Sequence, residues 1–350
     1  MASPFVQPSR LARRVLAAAC AGLLVLASAA HAASDTLAHV RTSGALHCGI
    51  PENLPGFAEK DEKGRYRGFS VDFCRAVAAA TLGDPEKVRF TPVSSTGRFP
   101  LLLSGRIDLL AHTTTWTLTR EAGIGVRFPG IYIHDGQGFL VPAAGAREMG
   151  DLKGSTICVE KGTTHVLNLE DDFARRGITY TPKVIESLPA TTAAFFGGEC
   201  QAYTSDRSTL AAVLATAPRG AGAWRILPGA ISHEPLGPAV RRDDGEWETI
   251  VRWVLYALVA AEHRGLTRDN IRGKLVSGAN PAARRMLEDG KTVARSLGLA
   301  PDWHIRAVEA GGNYGEVYER NLGAASPLKI ERGANRLWTD GGLMYSPPFR

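Results

Sequence analysis

Two stretches of the chain follow the same course and end in the same way. Each runs from a strand containing Thr-Pro, through an apolar helix that stops at a glycine, into a second short apolar strand. Eight residues after that glycine comes a small polar or acidic residue: Thr113 follows Gly105, and Asp206 follows Gly198. Ligands of α/β sheets collect at the carboxyl ends of strands. The repeat therefore predicts two similar lobes that offer their strand ends to a shared cleft.

Alternating strands and helices surround both stretches, which predicts an α/β protein with parallel sheets. Ser70 is predicted to cap the helix that ends before Gly83. In the first lobe we expect strands over 44–50, 88–92 and 107–111, and helices over 71–82 and 98–104. In the second lobe we expect a strand over 155–159, a turn at 162–164, and helices over 166–176 and 189–196. An amphipathic helix over 247–263 follows a Pro/Gly-rich linker.

The order of these elements predicts two lobes joined by two crossings of the chain. The crossings are expected near 136–141 and near 234–240, so that the lobes can close on a ligand about a hinge. Each lobe would contain a mixed, mainly parallel sheet flanked by helices. The predicted segments are 33–140 and 234–350 for the first lobe, the latter with a C-terminal helical extension, and 141–233 for the second lobe.

The first 32 residues have the pattern of a cleavable secretory signal peptide. Three arginines precede a short apolar run, and Ala30-His31-Ala32 fits the cleavage rule. A membrane anchor is the alternative, and the run is short for one. The leader carries three of the 41 basic side chains and no acid, so the net charge falls from +6 to about +3 on cleavage. No basic run remains to bind nucleic acid.

Four cysteines follow the leader, and an even number in an exported chain suggests disulfides. Four cysteines allow three connectivities. We favour one bond in each lobe, Cys48 with Cys74 and Cys158 with Cys200; buried free thiols are the alternative. No spacing of Cys and His indicates a zinc site, and no metal or cofactor is expected.

The predicted cleft contains charges that suit a free α-amino acid. A run of threonines leads to Arg120, whose planar fork can meet a carboxylate with two parallel hydrogen bonds. Asp206 stands at the matching strand end of the other lobe and suits an ammonium group. The turn at 162–164 opens a helix whose N–H groups favour an anion. Taken singly, Arg120 could be a surface residue, Asp206 a helix cap, and the threonines simply strand formers.

The sequence also resembles the polar amino-acid-binding proteins of bacterial ABC importers, which have the type II periplasmic-binding fold. The resemblance covers essentially the whole chain after the leader. It is closer still to the general L-amino-acid-binding, AapJ-like subgroup. The motifs that carry it are GFSVDFCRAV at 68–77, LSGRID at 103–108, TTTWTLTR at 113–120, DGQGF at 135–139, GTT at 162–164, Asp206, and GNYGEV at 312–317.

This resemblance implies a role for individual residues. Arg120 would bind the ligand α-carboxylate with Thr115 and Thr164, and Asp206 would bind the α-ammonium with Thr113. The ligand side chain would contact Leu54, Phe57 and Trp116. The chain departs from the subgroup at Thr113, where Asn is usual, at His165, where Thr is usual, and at Gln201, where Asp is usual. His165 could contact an acidic ligand side chain or could be solvated; Gln201 would be structural.

The function that follows is a periplasmic receptor that delivers amino acids, with a polar or acidic preference, to a membrane permease and its ATPase. A monomer without catalysis is expected. An enzyme of the same fold, such as a dehydratase acting on prephenate or arogenate, is the alternative. It would need an acid or base in the cleft, and Glu160 and His165 are the candidates. A ligand-loaded adaptor for a sensor is a third hypothesis.

Overall fold

The computed structural model describes residues 36–276 and 281–349. The predicted signal peptide lies outside these residues. Within the described ranges, no helix combines the length and apolarity that a membrane span requires.

The first lobe is built on a three-stranded parallel sheet with the order β4-β1-β5. Its strands are β1 (Leu46–Pro51), β4 (Val88–Val93) and β5 (Leu109–Leu110); a hairpin of β2 (Glu59–Lys60) and β3 (Tyr66–Arg67) lies between β1 and β4 in the chain. The helices up to this point are α1 (Thr36–Ser43), α2 (Phe69–Leu82) and α3 (Arg98–Leu103). A π-helical turn, Thr119–Ile124, and the short strand β6 (Val126–Arg127) follow.

Helix α2 shows how the local sequence sets an element's ends. It begins after Gly68 and ends at Gly83, whose φ of 75° is the left-handed conformation that glycine adopts freely. Ser70, which the sequence predicted as the cap, lies one residue inside the helix and is fully buried. The prediction was wrong because Phe69 begins the helix by packing into the core.

The second lobe is built on a mixed five-stranded sheet with the order β10-β9-β11-β8-β12. Strands β10, β9 and β11 are parallel to one another, whereas β8 is antiparallel to both of its neighbours. The strands are β8 (Gln137–Pro142), β9 (Thr156–Glu160), β10 (Thr181–Ile185), β11 (Ala202–Asp206) and β12 (Trp224–Ile226). The helices are α4 (His165–Arg176), α5 (Leu188–Phe196) and α6 (Arg207–Ala215), with 3₁₀ turns at Met149–Leu152 and Ala221–Ala223.

Two antiparallel strands carry the chain between the lobes. β7 (Ile133–Asp135) leads into β8, and β13 (Glu234–Leu236) returns to the first lobe and pairs with β7. The first crossing therefore precedes the predicted 136–141, most of which forms β8. The apolar side chains of β8 belong to the second lobe, where Phe139, Leu140 and Val141 are fully buried.

The chain then completes the first lobe. Strand β14 (Val240–Arg241) pairs with β6. The helices are α7 (Gly245–His263), α8 (Ile271–Val276), α9 (Pro281–Val293), α10 (Trp303–Gly311) and α11 (Tyr314–Asn321), followed by 3₁₀ turns at Gly333–Asn335 and Trp338–Asp340. One hydrophobic core joins side chains from Leu37–Ile133 with others from Leu236–Met344. The prediction of a two-lobed α/β fold with two crossings is confirmed.

Each lobe carries one disulfide. Cys48 in β1 is bonded to Cys74 in α2, and Cys158 in β9 is bonded to Cys200 just before β11. All four cysteines are buried. The favoured pairing of one bond per lobe is confirmed. The first bond joins β1 to helix α2, and the second joins β9 to the segment that leads into its neighbouring strand β11.

Candidate functional site

A cavity lies between the two lobes at the ends of their central strands. The first lobe contributes Pro51, Glu52, Leu54, Val93, Ser94, Ser95, Arg98, His112, Thr113, Thr115 and Arg120; the second contributes Glu160, Thr163, Thr164, His165, Leu188, Ser205, Asp206 and Thr209. The space between these walls is about 480 Å³ when its open mouth is included. The enclosed cavity is only about 30 Å³, so the walls stand close together.

Arg120 enters the cavity from the π-helical turn. Its side chain is 6% exposed, and Nη1 donates to the carbonyl oxygen of Thr115 at 2.7 Å. Burial lowers the pKa of Arg120, and the negative charges of Glu234 and Asp206 oppose that shift. Among the described residues, no carboxylate lies in salt-bridge contact with the guanidinium. A buried cation without an anionic partner favours a ligand that supplies one.

A second arginine, Arg98, lies at the start of α3 and lines the same cavity. It is 1% exposed, and burial together with the charge of Arg120 lowers its pKa to about 9. Its Nη2 donates across the cleft to the carbonyl oxygen of Gly162 at 3.1 Å. Its Nε is buried without a hydrogen-bond partner in the described chain. No sequence pattern singles out this residue.

His112 orients Arg98 as a neutral ring. Burial and the charge of Arg98 lower the pKa of His112 to about 3. Its Nε2 lies 3.2 Å from the carbonyl oxygen of Val93, so Nε2 carries the proton and donates. Nδ1, 3.3 Å from Arg98 Nη1, is then the acceptor. The ring thereby holds one guanidinium in place without adding charge.

Asp206 lies at the end of β11 in the second lobe and is paired with His165. The His165 Nε2 lies 3.0 Å from Asp206 Oδ1, and both side chains are nearly fully buried. Burial lowers the pKa of His165, but the charge and hydrogen bond of Asp206, together with the charges of Glu234 and Glu160, raise it, and the net shift is upward. His165 Nδ1 is buried without a partner among the described residues. The expectation that His165 could be solvated is therefore wrong.

The turn at 162–164 brings the start of α4 against the first lobe. Gly162 has φ of 77°, and an added Cβ would lie 3.0 Å from the Thr96 side chain, so the backbone approach requires glycine. Thr164 Oγ1 donates to Glu234 Oε2 at 3.0 Å and lies 3.5 Å from Thr115 Oγ1. The turn thus contacts both the opposite lobe and the hinge strand β13.

Glu234 is an acidic residue of the hinge strand β13 that no sequence pattern singles out. It is 2% exposed and also accepts hydrogen bonds from Asn168 at 2.6 Å and Ser232 at 2.6 Å. Asp135 on the paired strand β7 is buried as well; burial and then the Asp206 carboxylate raise its pKa to about 6. The hinge strands therefore place two buried acids, Glu234 and Asp135, next to residues that line the cavity.

Of the nine residues predicted to contact the ligand, the structure brings seven to the cavity: Leu54, Thr113, Thr115, Arg120, Thr164, His165 and Asp206. Phe57 and Trp116 do not line it. Phe57 is 1% exposed and packs in the core of the first lobe. The Trp116 ring stacks on Phe128, and its Nε1 donates to Glu121 at 2.7 Å. Gln201, expected to be structural, accepts from the backbone N of Thr156 at 2.8 Å.

Glu160, the candidate acid or base, does line the cavity. Burial raises the pKa of its carboxyl, and the Ser95 side chain and Arg98 oppose the shift. Glu160 and Arg98 thus line opposite walls of the cavity, close enough for their charges to interact. The Glu160 carboxyl group can accept a hydrogen bond from a ligand in the cavity.

Two lobes joined by two paired crossings, with a charged cavity between them, define a two-lobed ligand-binding protein. Residues 46–291 match the bacterial extracellular solute-binding proteins, family 3, and the chain belongs to this family.

Named relatives are similar over nearly their full lengths. The general L-amino acid-binding periplasmic protein AapJ of Rhizobium johnstonii is 44% identical over 96% of this chain and 99% of its own. The glutamate/glutamine/aspartate/asparagine-binding protein BztA of Rhodobacter capsulatus is 45% identical over 91% and 94%. A solved periplasmic binding protein from Brucella ovis with glutathione bound is 44% identical, covers 91% of this chain and 100% of its own, and has a TM-score of 0.87. The resemblance inferred from the sequence motifs is confirmed.

Proposed function

We propose that this chain binds free L-amino acids between its lobes in the periplasm and delivers them to the permease of an ABC importer. The observation that supports this most directly is the pairing of opposite charges across one cavity. Arg120 enters from the first lobe and Asp206 from the second, both nearly fully buried. On closure, a zwitterion would give Arg120 an anionic partner and would place an ammonium group beside Asp206, which already contacts His165. A singly charged ligand would do only one of these.

The roles of the lining residues follow from their chemistry. Arg120 would bind the α-carboxylate, with the hydroxyls of Thr115 and Thr164 beside it. Asp206 would bind the α-ammonium, and Thr113 is placed to assist. These groups contact only the α-carboxylate and α-ammonium, which all amino acids share. This favours the binding of many different amino acids. Leu54 is the apolar contact we assign to the side chain.

We infer a preference for polar and acidic side chains from Arg98. A second buried guanidinium in the same cavity has no carboxylate of the described chain in salt-bridge contact. A ligand with a second carboxylate or an amide would meet its hydrogen-bond donors. The substrates named for BztA have a side-chain carboxylate or amide, and glutathione, bound in the Brucella ovis structure, has a second carboxylate and amide groups besides its free α-amino acid end.

The proposal assigns the chain no catalysis. His112 is held neutral by burial and Arg98, and the charge of His165 is engaged by Asp206. Glu160 is the remaining candidate, and a dehydratase would use it as a general acid. Incubation with prephenate and with arogenate decides between these hypotheses. Unchanged substrate, together with tight binding of amino acids, supports the receptor; turnover that Glu160→Gln abolishes supports the enzyme.

The central test is calorimetric titration of wild type and Arg120→Ala with the common L-amino acids and glutathione. A hydrogen bond to a charged group contributes about 1.5–3 kcal/mol, so we expect the affinity to fall by at least about tenfold. Arg89→Ala is the matched control, because Arg89 is an exposed arginine of the first lobe outside the cavity. Equal affinities in wild type and Arg120→Ala would contradict the proposed pocket.

Delivery to a permease is tested separately in proteoliposomes that contain the cognate permease and ATPase. Adding the loaded protein should stimulate ATP hydrolysis and uptake of labelled amino acid. The Arg120→Ala variant should stimulate neither ATP hydrolysis nor uptake at ligand concentrations that saturate the wild type. Uptake that proceeds equally without the binding protein would exclude the delivery role.

A further inference from the structure

A cluster of three metal-binding side chains lies in the first lobe, outside the ligand cavity. His39 belongs to α1, His47 to β1, and Asp108 immediately precedes β5. One possible ligand atom from each residue lies within 4.8 Å of the other two. None of the three lines the cavity between the lobes.

Two buried atoms of this cluster lack hydrogen-bond partners. Asp108 is fully buried; its Oδ2 accepts from the backbone N of His47 at 2.9 Å, but Oδ1 has no hydrogen bond. His39 Nε2 is 3.9 Å from that Oδ1, too far to donate. His47 Nε2 is also buried without a partner in the described chain. Buried polar groups in proteins are almost always satisfied, so these atoms call for an occupant.

We propose that His39, His47 and Asp108 bind a divalent transition-metal ion, with zinc as the best fit. Two imidazoles and one carboxylate, with water in the fourth position, form a common zinc donor set. Zinc bonds to these atoms are about 2.0–2.2 Å long, so the cluster must contract. His39 can supply the movement, because its side chain is 53% exposed on the solvent side of α1.

The charges around the cluster are compatible with a cation. Burial raises the pKa of Asp108, whereas His39, His47 and Arg241 act in the opposite direction. Arg241 donates to the carbonyl oxygens of Leu102 and Ile107 and to the Thr36 hydroxyl, so its hydrogen bonds leave Asp108 Oδ1 available. A bound dication would compensate the carboxylate directly. It would also link α1 to the sheet of the first lobe through β1 and the residue before β5.

The test uses the secreted, tag-free protein, because a histidine tag would itself bind metal. After removal of metal with EDTA, zinc is titrated by calorimetry, and cobalt is added separately to record the absorption of a tetrahedral site. We expect one equivalent of zinc to bind and the melting temperature to rise with excess zinc. His39→Ala and Asp108→Asn should each weaken zinc binding by at least about tenfold.

His263→Ala is the matched control, since His263 is an exposed helical histidine outside the cluster and should leave zinc affinity unchanged. Circular dichroism checks that Asp108→Asn folds, and the exposed His39→Ala decides the outcome in either case. The absence of saturable binding at one equivalent, or equal zinc affinity in His39→Ala and wild type, would overturn the proposal. Amino-acid titrations of the same variants should match wild type, so failure here is distinguishable from failure of the proposed function.

Discussion

Asp206, which we propose binds the ligand ammonium, already has a partner in the protein. His165 Nε2 lies 3.0 Å from Asp206 Oδ1, and the pKa of His165 is raised above its usual 6.5. Because its pKa is higher in the folded than in the unfolded protein, the protonated histidine stabilises the fold fully below about pH 6.5. That stabilisation is lost as pH rises through the folded-state pKa. A ligand ammonium must therefore share Asp206 with the imidazolium.

We predict that binding of a neutral amino acid releases a proton from His165. A cation placed on Asp206 lowers the pKa of the neighbouring imidazolium, so affinity should increase as pH rises from about 6.5. Calorimetry at pH 6.5, 7.0 and 7.5, each in two buffers of different ionisation enthalpy, measures the release, because the pKa of His165 lies above 6.5. Asp135, with a pKa of about 6, is mostly ionised over this range and contributes little.

The variant His165→Gln is the control for this prediction, because it can keep a hydrogen bond to Asp206 but cannot titrate. Its binding enthalpy should be the same in both buffers. Buffer-independent enthalpy in the wild type would show that the ligand ammonium does not reach Asp206.

Sequence patterns identified the residues at strand ends but not those that come from other elements. Arg120 and Asp206 follow strands in a recognisable repeat, so their meeting at one cavity could be predicted. In the sequence, Arg98 is a single charged residue at the start of an apolar helix. Only the tertiary structure shows that this end of the helix faces the cleft. The sequence could not tell that Trp116 would turn toward Phe128 and Glu121, because that depends on a contact made after folding.

At the scale of elements, the antiparallel pair β7–β13 forms the hinge between the lobes. The side chain of Asn335 adds a third group to this pair. Asn335, in the 3₁₀ turn Gly333–Asn335, accepts from the backbone N of His134 at 2.7 Å and donates to its carbonyl oxygen at 2.9 Å. The side-chain amide thus acts as a further strand on the outer edge of β7. Its two bonds hold the C-terminal segment to the hinge.

We predict that Asn335→Ala lowers the free energy of unfolding by about 1–3 kcal/mol, because it leaves both His134 backbone groups without their partners. Hydrogen exchange followed by mass spectrometry should show faster exchange in the peptide that contains β7. Asn335→Asp keeps the acceptor but sets a carboxylate oxygen against the His134 carbonyl, so it should be no better than Ala. Wild-type exchange in both variants would mean that the contact does not restrain the hinge.

Element positions were predicted more reliably than element ends. The helices preceding Gly83 and Gly177 end where the sequence indicated, because glycine there adopts the left-handed conformation. The start of α2 and the first crossing were misplaced, since in both places burial of apolar side chains decides the boundary. Phe69 extends the helix backward, and the apolar run of β8 draws that strand into the second lobe.

At the scale of the whole molecule, the cavity is too narrow for its proposed ligand to enter. The enclosed cavity of about 30 Å³ suffices for one or a few waters. Contacts such as Arg98 to Gly162 and Thr115 to Thr164 join the two lobes. The lobes must separate about the β7–β13 ladder to admit an amino acid.

We predict that the protein without ligand is more extended in solution and that saturating amino acid reduces its radius of gyration. Small-angle X-ray scattering measures the change. Arg120→Ala should show no reduction at the same ligand concentration, because the ligand no longer holds the two walls together. An identical radius with and without ligand in the wild type would contradict closure.

The first lobe is built from two separate segments of the chain, and this limits when it can fold during synthesis. Its core needs side chains from both Leu37–Ile133 and Leu236–Met344, whereas the second lobe is one continuous segment. If the chain is exported amino terminus first, as the proposed function requires, the first lobe cannot be completed until almost its last residue has emerged. Premature termination or proteolytic clipping near the end would then leave the whole second lobe attached to an incomplete first lobe. The exposed apolar surface of that incomplete lobe would be recognised by quality-control proteases.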